Sequence, residues 1–103
     1  MMEGRPIKFR LLELFNDGEK WNYEVVSKVQ EEYGMNTRFE ADSINFDIIE
    51  ICTAGFLVKA ETKIDEDGVY RIGSLLIKYK ITQLGRDQFE TIARKLRKTR
   101  VKA

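Results

Sequence analysis

The hydrophobic period of this chain changes at Gly55, and that change restricts its possible architectures more than any other feature. Before Gly55, apolar residues recur at helical spacing in three groups. These are Ile7, Leu11, Leu14 and Phe15; Val25, Val26, Val29 and Tyr33; and Ile44, Ile48, Ile51 and Cys52. After it, Phe56, Val58 and Ala60 alternate with Leu57, Lys59 and Glu61, the pattern of a strand. The turn "DEDG" at 65–68 places a glycine where a hairpin needs a positive backbone angle. A return strand is expected through Leu75, Ile77, Tyr79 and Ile81, with Gly73 marking a bulge before it. Helical spacing then resumes with Phe89, Ile92, Ala93 and Leu96.

Punctuation supports the same division. Pro6 suits the start of a first helix, and "NDG" at 16–18 ends it. Asn22 is a candidate cap for the second helix, which Gly34 closes. The third helix is expected to begin within 38–41, leaving "YGMNTRFEAD" as a longer connection than a tight turn. Thr82 is placed to cap the last helix. With 103 residues and 43% hydrophobic content, one domain spanning 1–103 is expected, its basic C-terminal helix and tail at about 83–103. No apolar run approaches the ~20 residues of a membrane span, and "MMEGRPIKF" lacks the apolar stretch of a secretory signal. A single cysteine suits a reducing compartment, so a cytoplasmic protein without membrane contact is expected.

The residue inventory also narrows the chemistry. There is no histidine, the usual general base and commonest metal ligand. Cys52 lies on the apolar stripe of the third helix, where burial would make it a poor nucleophile. "KIDEDGVYRIGS" has a lysine, Lys63, where a calcium loop needs its first ligand. Neither an enzyme nor a metal or cofactor site is expected.

Two stretches carry a resemblance. "YKITQLGRDQF" contains an aromatic, a spacer, an aliphatic, threonine, two residues, glycine and a basic residue: Tyr79, Ile81, Thr82, Gly85 and Arg86. "IEICTAGFL" contributes Ile51, Gly55 and Phe56. Together they resemble winged helix-turn-helix transcription regulators, PadR-like, MarR-like and small archaeal winged-helix proteins among them, over residues 6–97. The resemblance implies an α+β fold: three helices, a long β-hairpin wing and a C-terminal helix. It also implies a double-stranded DNA partner and a homodimer, for which Phe89, Ile92 and Leu96 on the last helix are the candidate contacts.

The third helix complicates that expectation. With Ala41, Ile44, Ile48, Ile51 and Cys52 inward, its outer side presents Asp42, Phe46, Ile49, Glu50 and Thr53, with Asp47 near the edge. Carboxylates subtract from phosphate affinity, and base edges are usually read by other side chains. Three readings of this face stand open. Phe46 and Ile49 pack beneath the first helix or the wing; or Asp42, Phe46, Ile49 and Glu50 form a protein-docking patch; or the helix meets bases directly. DNA-binding cations are sought elsewhere: Arg38 before the third helix, Lys59, Lys63, Arg71, Lys78 and Lys80 on the hairpin, and Arg94, Arg97 and Lys98 in the basic C-terminal segment. Lys78 and Lys80 share one strand face and are expected to be solvated together.

Overall fold

A computed structural model describes the chain over residues 6–102, with side chains described through residue 97. Its elements run α1 (Ile7–Asn16), β1 (Lys20–Trp21), α2 (Asn22–Tyr33), α3 (Arg38–Thr53), β2 (Leu57–Ile64), β3 (Leu75–Ile81) and α4 (Gln83–Lys102). The architecture is α+β, four helices with a three-stranded antiparallel sheet in the order β1-β3-β2. β1 was not anticipated. Its two residues, paired Lys20 to Tyr79 and Trp21 to Lys78, are too few to show an alternating pattern.

The core forms where the three N-terminal helices close on one face of the sheet. Leu11 and Phe15 of α1, Val25, Val26 and Val29 of α2, and Ala41, Ile44, Ile48 and Ile51 of α3 meet Leu57, Ile77, Tyr79 and Ile81. Burying each larger apolar side chain contributes about 1.5–3 kcal/mol before conformational entropy is charged against it. Phe15 meets Tyr79 edge-on at 5.8 Å, and burial pushes the Tyr79 hydroxyl pKa up to about 12. Outside this core, Arg10 forks onto both oxygens of Glu32 at 2.8 Å and onto Glu13 at 2.8 Å, tying α1 to α2.

Local chemistry sets the element ends. α2 stops at Gly34, whose φ of +68° is the left-handed value that terminates helices. α3 begins at Arg38, the first position of the expected 38–41 window, so the connection is only residues 34–37 and is shorter than the expected "YGMNTRFEAD". Thr37 is the reason: its Oγ1 accepts from the Glu40 N–H at 3.1 Å, while Glu40 accepts from the Thr37 N–H at 3.2 Å, a capping box. Asn22 does not cap α2. Its side chain is buried and turned inward, accepting from the Ile77 N–H at 3.0 Å and donating to Asn45 at 3.1 Å. This polar link joins α2, α3 and β3 under the core.

The threonine–glycine motif before α4 has a direct physical basis. Thr82 Oγ1 accepts from the Gly85 N–H at 3.0 Å and donates to the Gly55 carbonyl at 2.7 Å, and the Thr82 N–H donates to the Phe56 carbonyl at 3.0 Å. Gly85 lies so close that a Cβ there would stand 2.3 Å from the Phe56 carbonyl oxygen. Tyr79 and Ile81 are core, and Arg86 reaches Asn16 of α1 at 3.2 Å. The motif thus welds α4 to the turn that follows α3.

Candidate nucleic-acid interface

β2 leaves the core almost at once. Leu57, opposite Ile81, is buried, whereas Val58 through Ile64 are exposed. Leu57 is the inward anchor, and beyond it the alternation of Val58 and Ala60 with Lys59 and Glu61 does not separate a buried face from an exposed one. The bulge falls between Lys59 and Glu61 rather than at Gly73, so Ala60 is the extra residue opposite the Tyr79–Lys78 step. Lys59 and Lys63 on β2 and Lys80 on β3 are exposed. Lys78 differs from Lys80, contrary to expectation. It is half-buried, with its ammonium 5.9 Å from the centre of the Trp21 ring.

The hairpin tip, residues 65–74, is broader than the tight turn expected at "DEDG". It folds around Asp65, which is buried at 2% exposure. The N–H groups of Val69, Tyr70 and Arg71 donate to its carboxylate at 2.9, 2.8 and 2.7 Å. Burial pulls this carboxyl upward, but the donors of Tyr70, Val69, Arg71 and Gly68 outweigh it and hold its pKa below the usual carboxylate value. Gly68 and Gly73, at φ of +76° and +83°, allow the loop to curl.

That curl brings the tip back over the N-terminus of α2. Tyr70 stacks on Tyr23 at 6.4 Å, and Tyr23 stacks on Trp21 at 6.4 Å. Lys63 places its ammonium 4.8 Å from the Trp21 ring centre, and the Arg71 guanidinium lies 4.7 Å from that of Tyr70. Arg71 also pairs with Asp42 of α3 at 2.8 Å. A continuous band of rings and cations therefore runs from the sheet to the third helix. Trp21, which precedes α2, is a half-buried member of this band. The sequence hid it because positions 21, 23, 63, 70 and 78 share no spacing.

On α3, the outer side is open. Phe39, Phe46 and Ile49 are 81%, 58% and 42% exposed, and Asp42, Glu50 and Thr53 are exposed beside them. The possibility that Phe46 and Ile49 pack beneath α1 or the hairpin is therefore corrected; the inward positions are filled by Ala41, Ile44, Ile48 and Ile51. The acids are less bare than a count suggests. Glu50 pairs with Lys8 at 2.9 Å and Asp42 with Arg71. Asp47 is half-buried, and burial raises its pKa, with Lys8 opposing and Glu50 reinforcing the rise. Arg38 is exposed at the first turn of the same helix.

α4 packs beside α1, where Phe89 stacks on Phe9 at 5.3 Å with the rings 10° from parallel. Part of the Phe89 surface expected at a dimer contact is thus used within the chain. Ile92, Ala93 and Leu96 are half-buried, and Arg94 and Arg97 are exposed; the Lys98 side chain lies outside the described residues. Among the described residues, no group of three or more His, Cys, Asp or Glu could hold a metal ion, and no helix is long and apolar enough to cross a membrane.

No protein-family profile matches the chain, and no curated protein matches it in sequence. Solved structures do resemble it. One is the "putative transcriptional regulator" from Thermoplasma acidophilum, at 21% identity and a TM-score of 0.68, covering 91% of this chain and 82% of that one. Another is a transcriptional regulator from Clostridium thermocellum, at 13% identity and a TM-score of 0.62, with the same two coverages. At these identities the likeness establishes the shared fold.

Proposed function

We propose that this protein is a cytoplasmic, non-enzymatic winged-helix regulator of transcription, with the β2–β3 hairpin as its wing and double-stranded DNA as its partner. The observation that carries this reading is the hairpin itself. It projects beyond the core with Lys59, Lys63 and Lys80 exposed, and Lys78 and Arg71 flank them. A two-stranded arm with cations along its length suits a phosphate backbone, to which counterion release supplies sequence-independent affinity. Arg38, at the positive end of α3, and Arg94, Arg97 and Lys98 on α4 extend the phosphate-contacting set. The names of the structural neighbours support a regulatory role. α4 serves as the dimer helix through Ile92 and Leu96, with the outer edge of Phe89 completing the contact.

A salt series tests this reading. Binding to a generic duplex should weaken with a log–log slope of about −0.9 per phosphate neutralised. Affinity that is absent at low salt contradicts the proposal. One observation favours a second reading, a protein-docking module: Phe39, Phe46 and Ile49 stand exposed along α3 with Asp42 and Glu50 beside them. An apolar strip with an acidic border suits a protein partner better than a phosphate rail. A duplex non-binder whose α3 outer face is protected by a partner protein would establish the second reading over the first.

A further inference from the structure

We infer that the Trp21–Tyr23–Tyr70 band is a stacking platform for the unpaired bases of a single nucleic-acid strand, an inference that rests on the nucleic-acid reading above. Three aromatic rings from two distant places in the sequence, 21–23 and 70, are brought into one stack, with neighbouring rings inclined by only 26° and 25°. All three are half-buried, not enclosed in the core. The groups over their faces are cations: Lys63 and Lys78 at Trp21, and Arg71 at Tyr70. A cation held over a ring by that contact alone is weakly held. Lys63 and Lys78 can move to a neighbouring phosphate and leave the Trp21 face to a base, whereas Arg71 stays anchored by Asp42 at 2.8 Å and by the Tyr70 hydroxyl at 3.1 Å.

The chemistry favours a single strand over a duplex. Every base has a π-face, but in a duplex each face is covered by its neighbours, whereas an unpaired base can turn onto a protein ring. Lys59 and Lys80 continue the positive charge along the hairpin beside the platform, against Glu61 opposite Lys78 and Asp42 on Arg71. A groove of cations beside sequence-tolerant aromatic rings is the arrangement that tracks a single-stranded backbone. The same chemistry is offered by DNA and RNA strands, which the experiment separates.

Trp21 is the sole tryptophan, so its emission reports the platform directly. The full chain is titrated at low salt with a fifteen-nucleotide dT strand, the equivalent rU strand, and a fifteen-base-pair duplex. We expect saturable quenching of Trp21 by a single strand, with affinity for dT or rU at least about tenfold above that for the duplex. A dU strand, which differs from rU only at the 2′ position, then identifies the preferred sugar. Tyr70→Ala should weaken single-strand binding about tenfold and leave duplex binding unchanged, while Tyr70→Phe, which keeps the ring, should restore it. Duplex binding with no single-strand preference and no change in Trp21 emission overturns this inference and leaves the duplex reading standing. Binding of neither overturns both. Tyr70→Ala with undiminished single-strand affinity overturns the platform even if quenching occurs.

Discussion

Replacing Gly85 by alanine sets two physical effects against each other, and the structure decides between them. Gly85 lies within α4, where glycine-to-alanine normally gains up to about 1 kcal/mol of helix propensity. Here the new Cβ would stand 2.3 Å from the Phe56 carbonyl oxygen and 2.7 Å from Ile81 Cγ1. The first of these is backbone, and it must retreat by about 0.7 Å before reaching even the closest separation real Cβ atoms tolerate. Retreat pulls α4 away from the turn after α3, loosening the bonds from Thr82 to Gly55 and Phe56. Overpacking costs about 1–3 kcal/mol and each of the two weakened hydrogen bonds about 0.5–1.5 kcal/mol, so the net loss after a propensity gain of about 1 kcal/mol is about 1–5 kcal/mol. At about 4–8 °C per kcal/mol for a chain of this length, Tm falls by roughly 4–40 °C. Urea and thermal melts followed by circular dichroism measure it. An unchanged or raised Tm would mean that the close approach is not a constraint and that the threonine–glycine motif needs another explanation.

Four further outcomes follow from the same contacts. Asn22→Ala strands the buried Ile77 N–H and frees Asn45, and should cost about 1–3 kcal/mol in a urea melt; a change within experimental scatter would show that water replaces the side chain without loss. Phe46→Ala should cost less than about 1 kcal/mol, because the ring is 58% exposed; a loss of ~3 kcal/mol or more would place it in the core. The pair Lys78→Glu and Lys80→Glu should sharply weaken duplex binding while leaving the fold intact by circular dichroism, and unaltered affinity would remove the hairpin from the DNA proposal. Asp65 carries a depressed pKa, so its contribution to tip order is fully present above the unfolded aspartate value of about 3.9 and is lost as pH falls through the lower folded value. The amide resonances of Val69, Tyr70 and Arg71 should therefore titrate together below the ordinary aspartate range, whereas a midpoint at or above it would contradict the carboxylate-centred loop.

Much of this fold is written in periodic signals. The stripes of α1, α2 and α3 were legible because each buries one face against a shared core, and the outward placement of Asp42, Phe46, Ile49 and Glu50 followed from the same arithmetic. The features that escaped have no period. β1 consists of two residues, and it exists because Lys20 and Trp21 pair with β3. Asn22 has the composition of a cap, yet a longer-range demand, the Ile77 N–H, claims its side chain. The "TRFE" capping box at 37–40 was available in the sequence and fixes the start of α3. The tip is held by backbone donors converging on Asp65, an arrangement that side-chain spacing does not encode. The aromatic band likewise depends on the loop curling back and on a strand register broken at Ala60.

In the proposed function, DNA meets the hairpin and α4 while the outer face of α3 stands aside. A backbone amide NMR titration with a generic short duplex at low salt tests it most directly. Shifts are expected to concentrate in residues 59–80 and 94–102, with Arg38 and Asp42, the ion-pair partner of Arg71, at their margin and Phe46 through Thr53 undisturbed. Shifts centred on Phe46, Ile49 and Glu50 would contradict it, and the absence of shifts anywhere would transfer the function of this fold to a protein partner.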